Sequence, residues 1–297
     1  MICLAKDKNL IKDLCSIEDS NYKDYYFNNI YDKGKHYILK EENMIISYAS
    51  SFKMAYMFNS RMINVSMIAN IYTNGDYRQL GYMHKLLKEI IDQLSRQELV
   101  TITNTLYPYI FESLGFEKIY SRKTYYFNHQ NFKITETKGM VEDINLEDCL
   151  KSYALFTKHF NGFEYRNIND FELLIKRVNA LDQYMVMVYD NQQIKGYFIF
   201  RIEEEKIIIE ECIYLDTKTL TKIISYALKL ADNVELELSE AEDLEKIYGP
   251  LKYDIKDSMM ARINDYELFN HLYDSNVDNV KDGFEILNKP LYMLKRI

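Results

Sequence analysis

Apolar and polar residues alternate over much of the first 75 positions, and this pattern predicts a series of antiparallel strands. Apolar side chains recur at every second residue or in short runs, which is the spacing of a strand. Residues that favour tight turns, Glu42-Asn43 and Asn59-Ser60, separate the runs. The predicted strands are residues 37–39, 44–50, 53–58 and 62–72.

Between residues 80 and 94 the apolar spacing changes to that of a helix. A turn at Asn74-Gly75-Asp76 comes first, and apolar residues then recur at intervals of three and four positions. A short apolar strand at residues 99–103 follows the helix. The apolar face of the predicted helix consists of Leu80, Met83, Leu86, Leu87, Ile90, Ile91 and Leu94.

The turn that leads into this helix predicts a binding site for a phosphate group. A helix N-terminus has backbone N–H groups without intrahelical partners, and it is the positive end of the helix dipole. Gly81 allows a phosphate to approach the backbone because it has no side chain, and Arg78 supplies a charged donor. The alternative is an ordinary strand, turn and helix with a glycine in the first turn.

The second half of the chain repeats this order of elements without the phosphate-binding turn. The loop before its main helix has no glycine and contains Asp216 and Thr217, either of which can cap the helix. A carboxylate at this point would repel a phosphate. The pattern predicts helices at residues 146–160, 171–179 and 217–231, and strands at 184–189, 194–202, 206–214 and 234–238.

Composition narrows the class of protein. The 297 residues suffice for about two domains. No apolar run approaches the roughly 20 residues of a membrane span and no secretory signal is recognised, so we expect a cytoplasmic protein without a membrane partner. The net charge of −8 argues against a nucleic-acid partner and is compatible with a cationic one. The four cysteines and five histidines lack metal-ligand spacing, so no metal is expected.

The residues of the turn carry a resemblance to a known family. They do not form the nucleotide-binding motifs Gly-x-x-x-x-Gly-Lys-Ser/Thr or Gly-x-Gly-x-x-Gly. Arg78-x-x-Gly81-x-Met83 resembles instead the coenzyme A motif of the GNAT N-acetyltransferases, Arg/Gln-x-x-Gly-x-Gly/Ala, and departs from it at Met83. Asn104 and Leu114-Gly115-Phe116 match, in the same order, an asparagine and the Tyr-x-x-x-Gly-Phe signature of that family.

The whole chain resembles a tandem member of this family. Two such halves followed by Met259-Met-Ala-Arg262-Ile resemble the Eis ("enhanced intracellular survival") proteins. The resemblance implies an α+β fold (an α/β mixed sheet) with two GNAT domains. Each domain would have a mixed, mostly antiparallel sheet flanked by helices. A homo-oligomer is a possible assembly. We expect an acetyl-CoA-binding domain at residues 1–128, a second GNAT-like domain without a coenzyme A motif at 129–262, and a remnant of a sterol-carrier-like domain at 263–297.

The resemblance implies an N-acetyltransferase that uses acetyl-CoA. A primary amine of a small or polycationic acceptor would attack the thioester directly in a ternary complex. Backbone amides at the end of the strand would bind pantetheine and polarise the thioester carbonyl, and amides of the turn would hold the pyrophosphate. The implied cofactor-binding residues are Asn70, Ile71, Tyr72, Arg78, Gln79, Leu80, Gly81, Tyr82, Met83 and Asn104.

The residue that acts as general acid in the family is replaced in this chain. The family has a tyrosine four residues before the glycine of its Gly-Phe signature, and Phe111 stands at this position. Tyr107 and Tyr109 are the candidate replacements, with packing as their alternative role. Eis enzymes use their C-terminal carboxylate as the base, which here would be that of Ile297, and water or Glu112 is an equal candidate.

Three functions follow from these features and stay open. The first is an Eis-like acyl-CoA N-acyltransferase. The second is a coenzyme A binding protein that has lost catalysis and works as a sensor or a subunit, which Phe111 and Met83 favour. The third is a peptide or protein acetyltransferase.

Overall fold

A computed structural model describes residues 1–14, 17–42, 44–105, 107–286 and 289–293, with the backbone alone at 257 and 258. The contacts between residues divide the chain into two compact units. The first unit comprises Met1–Ile119 and the described part of Ser258–Asn288. The second comprises Tyr120–Asp257 and the described part of Lys289–Leu294. The functional domains proposed at residues 1–128, 129–262 and 263–297 stay predictions.

Strands and helices follow one another along both units. The strands are β1 (Ile2–Leu4), β2 (Gly34–Glu41), β3 (Met44–Phe58), β4 (Arg61–Thr73), β5 (Val100–Thr103), β6 (Glu117–Asn128), β7 (Met140–Val141), β8 (Gly162–Glu164), β9 (Tyr184–Asp190), β10 (Gln193–Glu203), β11 (Lys206–Tyr214), β12 (Asn233–Ser239), β13 (Tyr253–Ile263) and β14 (Leu291–Tyr292). The α-helices are α1 (Lys8–Leu14), α2 (Ser20–Tyr25), α3 (Tyr82–Leu94), α4 (Pro108–Glu112), α5 (Leu146–Thr157), α6 (Ile168–Ala180), α7 (Thr217–Leu230), α8 (Glu245–Tyr248), α9 (Tyr266–Tyr273) and α10 (Val280–Glu285). A π-helical turn lies at Tyr26–Ile30, and 3₁₀ turns lie at Tyr31–Lys33 and Gly75–Tyr77.

The first unit is built on a mixed sheet in the order β1-β2-β3-β4-β5, with the last residues of β13 beside β5. Strands β4 and β5 run parallel and the other neighbours run antiparallel. The helix α3 connects β4 to β5, which is the crossover that a parallel pair requires. The expected mixed, mostly antiparallel sheet flanked by helices is therefore confirmed.

The prediction of two separate strands at residues 44–50 and 53–58 was wrong, because β3 continues through both. Ser51 and Phe52 pair with Ile68 and Met67 of β4, so the ladder is not interrupted between the two predicted strands. Ser50 and Ser51 are buried polar residues inside this long strand. Serine favours turns because its hydroxyl can bond to the nearby backbone, but a serine whose hydroxyl has a partner in the interior can lie inside a strand.

Helix α3 packs its apolar face into the core of the first unit. Its buried residues confirm the predicted face except at the N-terminal end. Leu80 is 64% exposed and lies in the turn before the helix, so its place on the apolar face was predicted wrongly. The helix begins only at Tyr82 because Gly81 adopts a left-handed conformation. The buried residues are Leu86, Leu87, Ile90, Ile91 and Leu94.

The second unit has its own mixed sheet in the order β6-β12-β11-β10-β9-β7, in which only β11 and β12 are parallel. Alternate residues of β10 point to opposite faces, so Phe198 and Phe200 pack with α7 whereas Tyr197 and Ile199 pack with α5 and α6. Strand β11 lies at residues 206–214 as predicted, and α7 ends one residue before its predicted end.

Candidate functional site

The parallel strands β4 and β5 part inside the first unit, and the predicted pantetheine-binding residues lie at this point. Their pairing ends at Ile68 and Thr103, whereas β4 continues to Thr73. Asn104 follows β5 directly, so it lies at the same parting. The last five residues of β4 extend past the end of this pairing with β5, and they include the backbone of Tyr72.

A β-bulge changes the direction of β4 just after the pairing with β5 ends. The register of β3 against β4 passes from Ser50–Ala69 to Tyr48–Tyr72, so Ala49 lies opposite two residues of β4. These two residues are Asn70 and Ile71, and Asn70 has a positive φ of 52°. A bulge of this kind re-aims the backbone groups beside it.

The turn after β4 is held by Arg78. Its Nε donates a hydrogen bond to the Thr73 carbonyl at 3.2 Å, and its backbone N–H donates to the Gly75 carbonyl at 3.3 Å. This backbone group is therefore used inside the turn. Gln79 has a φ of 63° and its side chain is exposed, as is that of Leu80.

Gly81 is the N-cap of α3, and the space beside it is open. Its φ of 81° lies in the left-handed region that side chains disfavour. A Cβ placed on Gly81 would meet no described heavy atom within 4 Å. The side chain of Met83 is therefore at least that far from this position, and it is half-buried against the core. The departure from the family motif at Met83 leaves the approach to Gly81 open.

The N-terminus of α3 has no carboxylate of its own to cap it. Gly81 makes no side-chain cap bond, and the first turn of the 13-residue helix contains no acidic residue. The N–H groups of Tyr82 and Met83 belong to the first turn, where an α-helix has no carbonyl partner for them. The Glu41 carboxylate accepts a hydrogen bond from the Tyr82 hydroxyl, which raises the pKa of Tyr82.

The corresponding helix of the second unit, α7, starts differently. Asp216 is its N-cap, as predicted, and accepts hydrogen bonds from the Thr219 backbone N–H at 2.8 Å and hydroxyl at 2.7 Å. A helix N-terminus that is occupied by its own carboxylate offers little to an anion. The N-terminus of α3 is therefore free of a capping carboxylate, whereas that of α7 is occupied by Asp216.

The candidate acids Tyr107 and Tyr109 lie on the exposed side of α4. Pro108 is the first residue of this helix, where its missing N–H and fixed φ are tolerated, and Tyr107 is the N-cap. Their side chains are 58% and 65% exposed, and the ring centroids are 6.3 Å apart. Phe111 is 1% exposed and packs edge to face against Phe116 at 5.2 Å. The position of the family's acid is therefore part of the apolar core.

Of the residues proposed as the base, Glu112 is the one within the described residues. Ile297 lies outside the described residues. Glu112 is exposed on α4.

Sequence analysis missed the polar residues that hold the bulge from inside the unit. The Asn70 side-chain amide donates a hydrogen bond to the Tyr26 hydroxyl at 2.8 Å. Tyr26 is 1% exposed and continues into a buried network that reaches His36. No spacing in the sequence joins residues 26, 36 and 70, and the one available signal was a histidine directly before the predicted strand at residues 37–39.

The described residues contain neither a membrane-spanning helix nor a cluster of metal ligands. No helix in that part of the chain is both long and apolar enough to cross a bilayer. Within the same ranges, no three His, Cys, Asp or Glu side chains are grouped as metal ligands.

The sequence of the first unit matches a known domain family. Residues 9–119 match the family model described as "Acetyltransferase (GNAT) domain". The matched segment contains the bulge, the turn and the start of α3. No protein with a curated description matches the chain by sequence.

Several solved structures are similar to the chain in fold. One is a conserved protein of unknown function from Enterococcus faecalis V583, a probable N-acyltransferase, with a TM-score of 0.76, 16% identity, and coverage of 89% of this chain and 72% of that chain. Eis1 from Mycobacterium abscessus has a TM-score of 0.67 and 13% identity, over 91% of this chain and 75% of that chain. N-myristoyltransferase from Saccharomyces cerevisiae, with bound myristoyl-CoA, has a TM-score of 0.58 and 11% identity, over 99% of this chain and 89% of that chain. At these identities the similarity establishes the fold.

Proposed function

We propose that the chain is an N-acetyltransferase that transfers the acetyl group of acetyl-CoA to a primary amine of a small or polycationic acceptor. The observation that carries the proposal is the start of α3. There a left-handed glycine with open space beside it precedes a helix N-terminus that has no carboxylate of its own. This arrangement suits a pyrophosphate, since anions bind at helix N-termini through backbone N–H groups.

The coenzyme would extend from this turn to the parting of β4 and β5. The N–H groups of Gly81, Tyr82 and Met83 would bind the pyrophosphate, with Gln79 and Leu80 in the same turn. Arg78 would hold the turn in place through its bond to the end of β4. Asn104 and the backbone of the bulge, residues 70–72, would bind the pantetheine arm beside it.

The reaction forms a C–N bond, breaks a C–S bond and moves three protons. The acceptor ammonium loses a proton to a base, and the free amine attacks the thioester carbonyl. The nitrogen then gives up its second proton, the C–S bond breaks to leave the neutral amide, and the thiolate of coenzyme A takes a proton from an acid. Amides at Ile71 and Tyr72 would stabilise the negative charge that develops on the carbonyl oxygen. Tyr107 or Tyr109 would supply the last proton, because both hydroxyls are accessible.

The acceptor class rests on charge. The net charge of −8 makes the surface as a whole attractive to polyamines, aminoglycosides and lysine side chains. The second unit would take no coenzyme, because Asp216 occupies the N-terminus of its main helix. A cytoplasmic location, a homo-oligomer and descent from an Eis-like protein are parts of the same proposal.

A second candidate function is a coenzyme A binding protein without catalysis. The burial of Phe111 favours it, since the position that holds the acid in the family faces the core and has no hydroxyl. Loss of a general acid lowers rates by roughly 10²- to 10⁴-fold. Such a protein would keep the coenzyme site and serve as a sensor or a subunit.

Calorimetry with acetyl-CoA and a thiol-release assay test both candidates. Spermidine, an aminoglycoside and a lysine peptide serve as acceptors. Binding with acceptor-dependent thiol release is the expected result. Binding without thiol release, with activity restored by Phe111→Tyr, would support the sensor instead. Absence of binding would contradict the coenzyme site and both candidate functions.

A further inference from the structure

A chain of buried polar groups runs behind the bulge of β4. It begins at Asn70, whose side-chain amide donates to the Tyr26 hydroxyl at 2.8 Å. Tyr26 shares a hydrogen bond with Tyr48, and the Tyr48 hydroxyl lies 2.5 Å from the Ser50 hydroxyl. Nδ1 of His36 lies 2.9 Å from Ser50 Oγ and 3.0 Å from the Tyr48 hydroxyl.

The contact at the far end, between His36 and a backbone carbonyl, fixes the tautomer of the imidazole ring. Nε2 of His36 lies 2.7 Å from the backbone carbonyl of Tyr31, and a carbonyl can only accept. Nε2 therefore carries the proton, and the Nδ1 atom of the neutral ring accepts. Burial lowers the pKa of His36, which keeps the ring neutral at pH 7. Nδ1 accepts from the Ser50 or the Tyr48 hydroxyl, and the Tyr26 oxygen accepts from Asn70.

The members of the chain come from every element around the bulge. His36 lies on β2, opposite Ser50 of β3. Tyr26 begins the π-helical turn, and the 3₁₀ turn with Tyr31 follows it. The ring of Tyr31 stacks on His36 with centroids 3.7 Å apart. The chain thus connects the helical segment at residues 20–33 to three strands and ends at the bulge.

These groups lie in an apolar cluster, where polar groups are costly unless they are hydrogen-bonded. Tyr26, Tyr48 and Ser50 are at most 1% exposed, and His36 is 6% exposed. Aliphatic or phenylalanine side chains could fill this space without the cost of desolvation. Each member instead has a partner, which gives the interior one defined arrangement.

We infer that this chain of hydrogen-bonded side chains holds Asn70 in its left-handed conformation. It thereby aims the following backbone amides of β4 at the acyl group. Tyr26, Tyr48, Ser50 and His36 are positioning residues for the transfer step. The inference rests on the proposed function. The hydrogen-bonded side chains do not include the turn at residues 78–83. They therefore act on catalysis and leave the coenzyme pyrophosphate site unchanged.

The test uses Tyr26→Phe and Tyr48→Phe, which remove one hydroxyl each, in the full chain; the Tyr48 hydroxyl joins Tyr26 to both Ser50 and His36. Tyr56→Phe is the matched control, because Tyr56 is a buried tyrosine of the same unit that is not a member of the hydrogen-bonded series from Asn70 to His36. We expect kcat to fall roughly 10- to 100-fold in the first two variants, since a small misplacement of a catalytic donor has effects of this size. The dissociation constant for acetyl-CoA should change far less than kcat, because the pyrophosphate turn at residues 78–83 keeps its own contacts. The double variant should be no slower than the slower single variant, because one break disables the chain.

The inference is overturned if Tyr26→Phe keeps the kcat of Tyr56→Phe, or if its loss appears in acetyl-CoA binding rather than in kcat. A wild type that binds acetyl-CoA and releases no thiol would defeat the proposed transferase function separately. In that case amide hydrogen exchange over residues 69–73 decides the inference. Faster exchange there in Tyr26→Phe than in Tyr56→Phe supports it, and equal exchange overturns it.

Discussion

Replacement of Gly81 by alanine gives the most direct test of the coenzyme site. The new methyl group would meet no described atom of the protein, so it would extend into the open space at the start of α3. Its only intramolecular cost is the left-handed backbone, which destabilises a non-glycine residue by about 1–2 kcal/mol. For a unit of this size we expect the melting temperature to fall by roughly 2–4 °C per kcal/mol.

The loss of coenzyme binding should exceed this strain. If the methyl group keeps a phosphate oxygen from one backbone N–H, a charge-assisted hydrogen bond of about 1.5–3 kcal/mol is lost. This corresponds to a roughly 10- to 150-fold rise in the dissociation constant for coenzyme A, at about 1.4 kcal/mol per factor of ten. Calorimetry at a temperature well below the melting transition measures it.

Gly115→Ala separates the two effects. Gly115 has a φ of 82°, almost that of Gly81, and it lies just after the C-terminus of α4 in the same unit, where its N–H donates to the Glu112 carbonyl. A Cβ there would lie 3.4 Å from the Arg262 side chain, an ordinary contact. We expect a similar loss of stability and an unchanged affinity for coenzyme A. Equal affinities in Gly81→Ala and Gly115→Ala would refute the assignment of the pyrophosphate to Gly81.

Three further predictions concern catalysis, the second unit and pH. Of Tyr107→Phe and Tyr109→Phe, the one that removes the acid should lower kcat roughly 10²- to 10⁴-fold in the thiol-release assay, with stability unchanged because both side chains are exposed. Asp216→Ala should cost about 0.5–2 kcal/mol in urea unfolding through loss of the helix cap, and coenzyme binding should not change. Burial raises the pKa of Glu242 to about 7, so the native state holds its proton over a range where the unfolded chain has released it. The stability that Glu242 contributes is therefore full below about pH 4.5 and is lost as the pH rises through about 7. Chemical unfolding across this range should show a flatter pH profile for Glu242→Gln, and parallel profiles would contradict the assignment.

The site shows which features a sequence carries locally. The turn before α3, the apolar face of that helix and the cap of α7 at Asp216 were all predicted, because each depends on residues within about four positions of one another. The exposed Leu80 was misplaced for the same local reason. Its spacing fits the helical face, but the left-handed Gly81 starts the helix one residue later.

The burial of polar and charged groups could not be predicted from the sequence. A pair of acidic residues in a strand is typical of a surface, yet Glu211 is buried and accepts a hydrogen bond from Arg166 Nη2 at 3.1 Å. The two residues are 45 positions apart. Nothing in either local pattern indicates the other partner, since burial of a charge depends on where its counter-charge is folded.

The sequence by itself determined most of the central strands and helices of both units and the glycine-bearing turn before α3, because turn chemistry and side-chain periodicity act over a few residues. The tertiary structure decided where β4 and β5 part, which residues hold Asn70, and that Phe111 faces the core. Each of these depends on pairing between residues far apart in the chain. Their energies come from burial and hydrogen bonds that exist only once the whole sheet has formed.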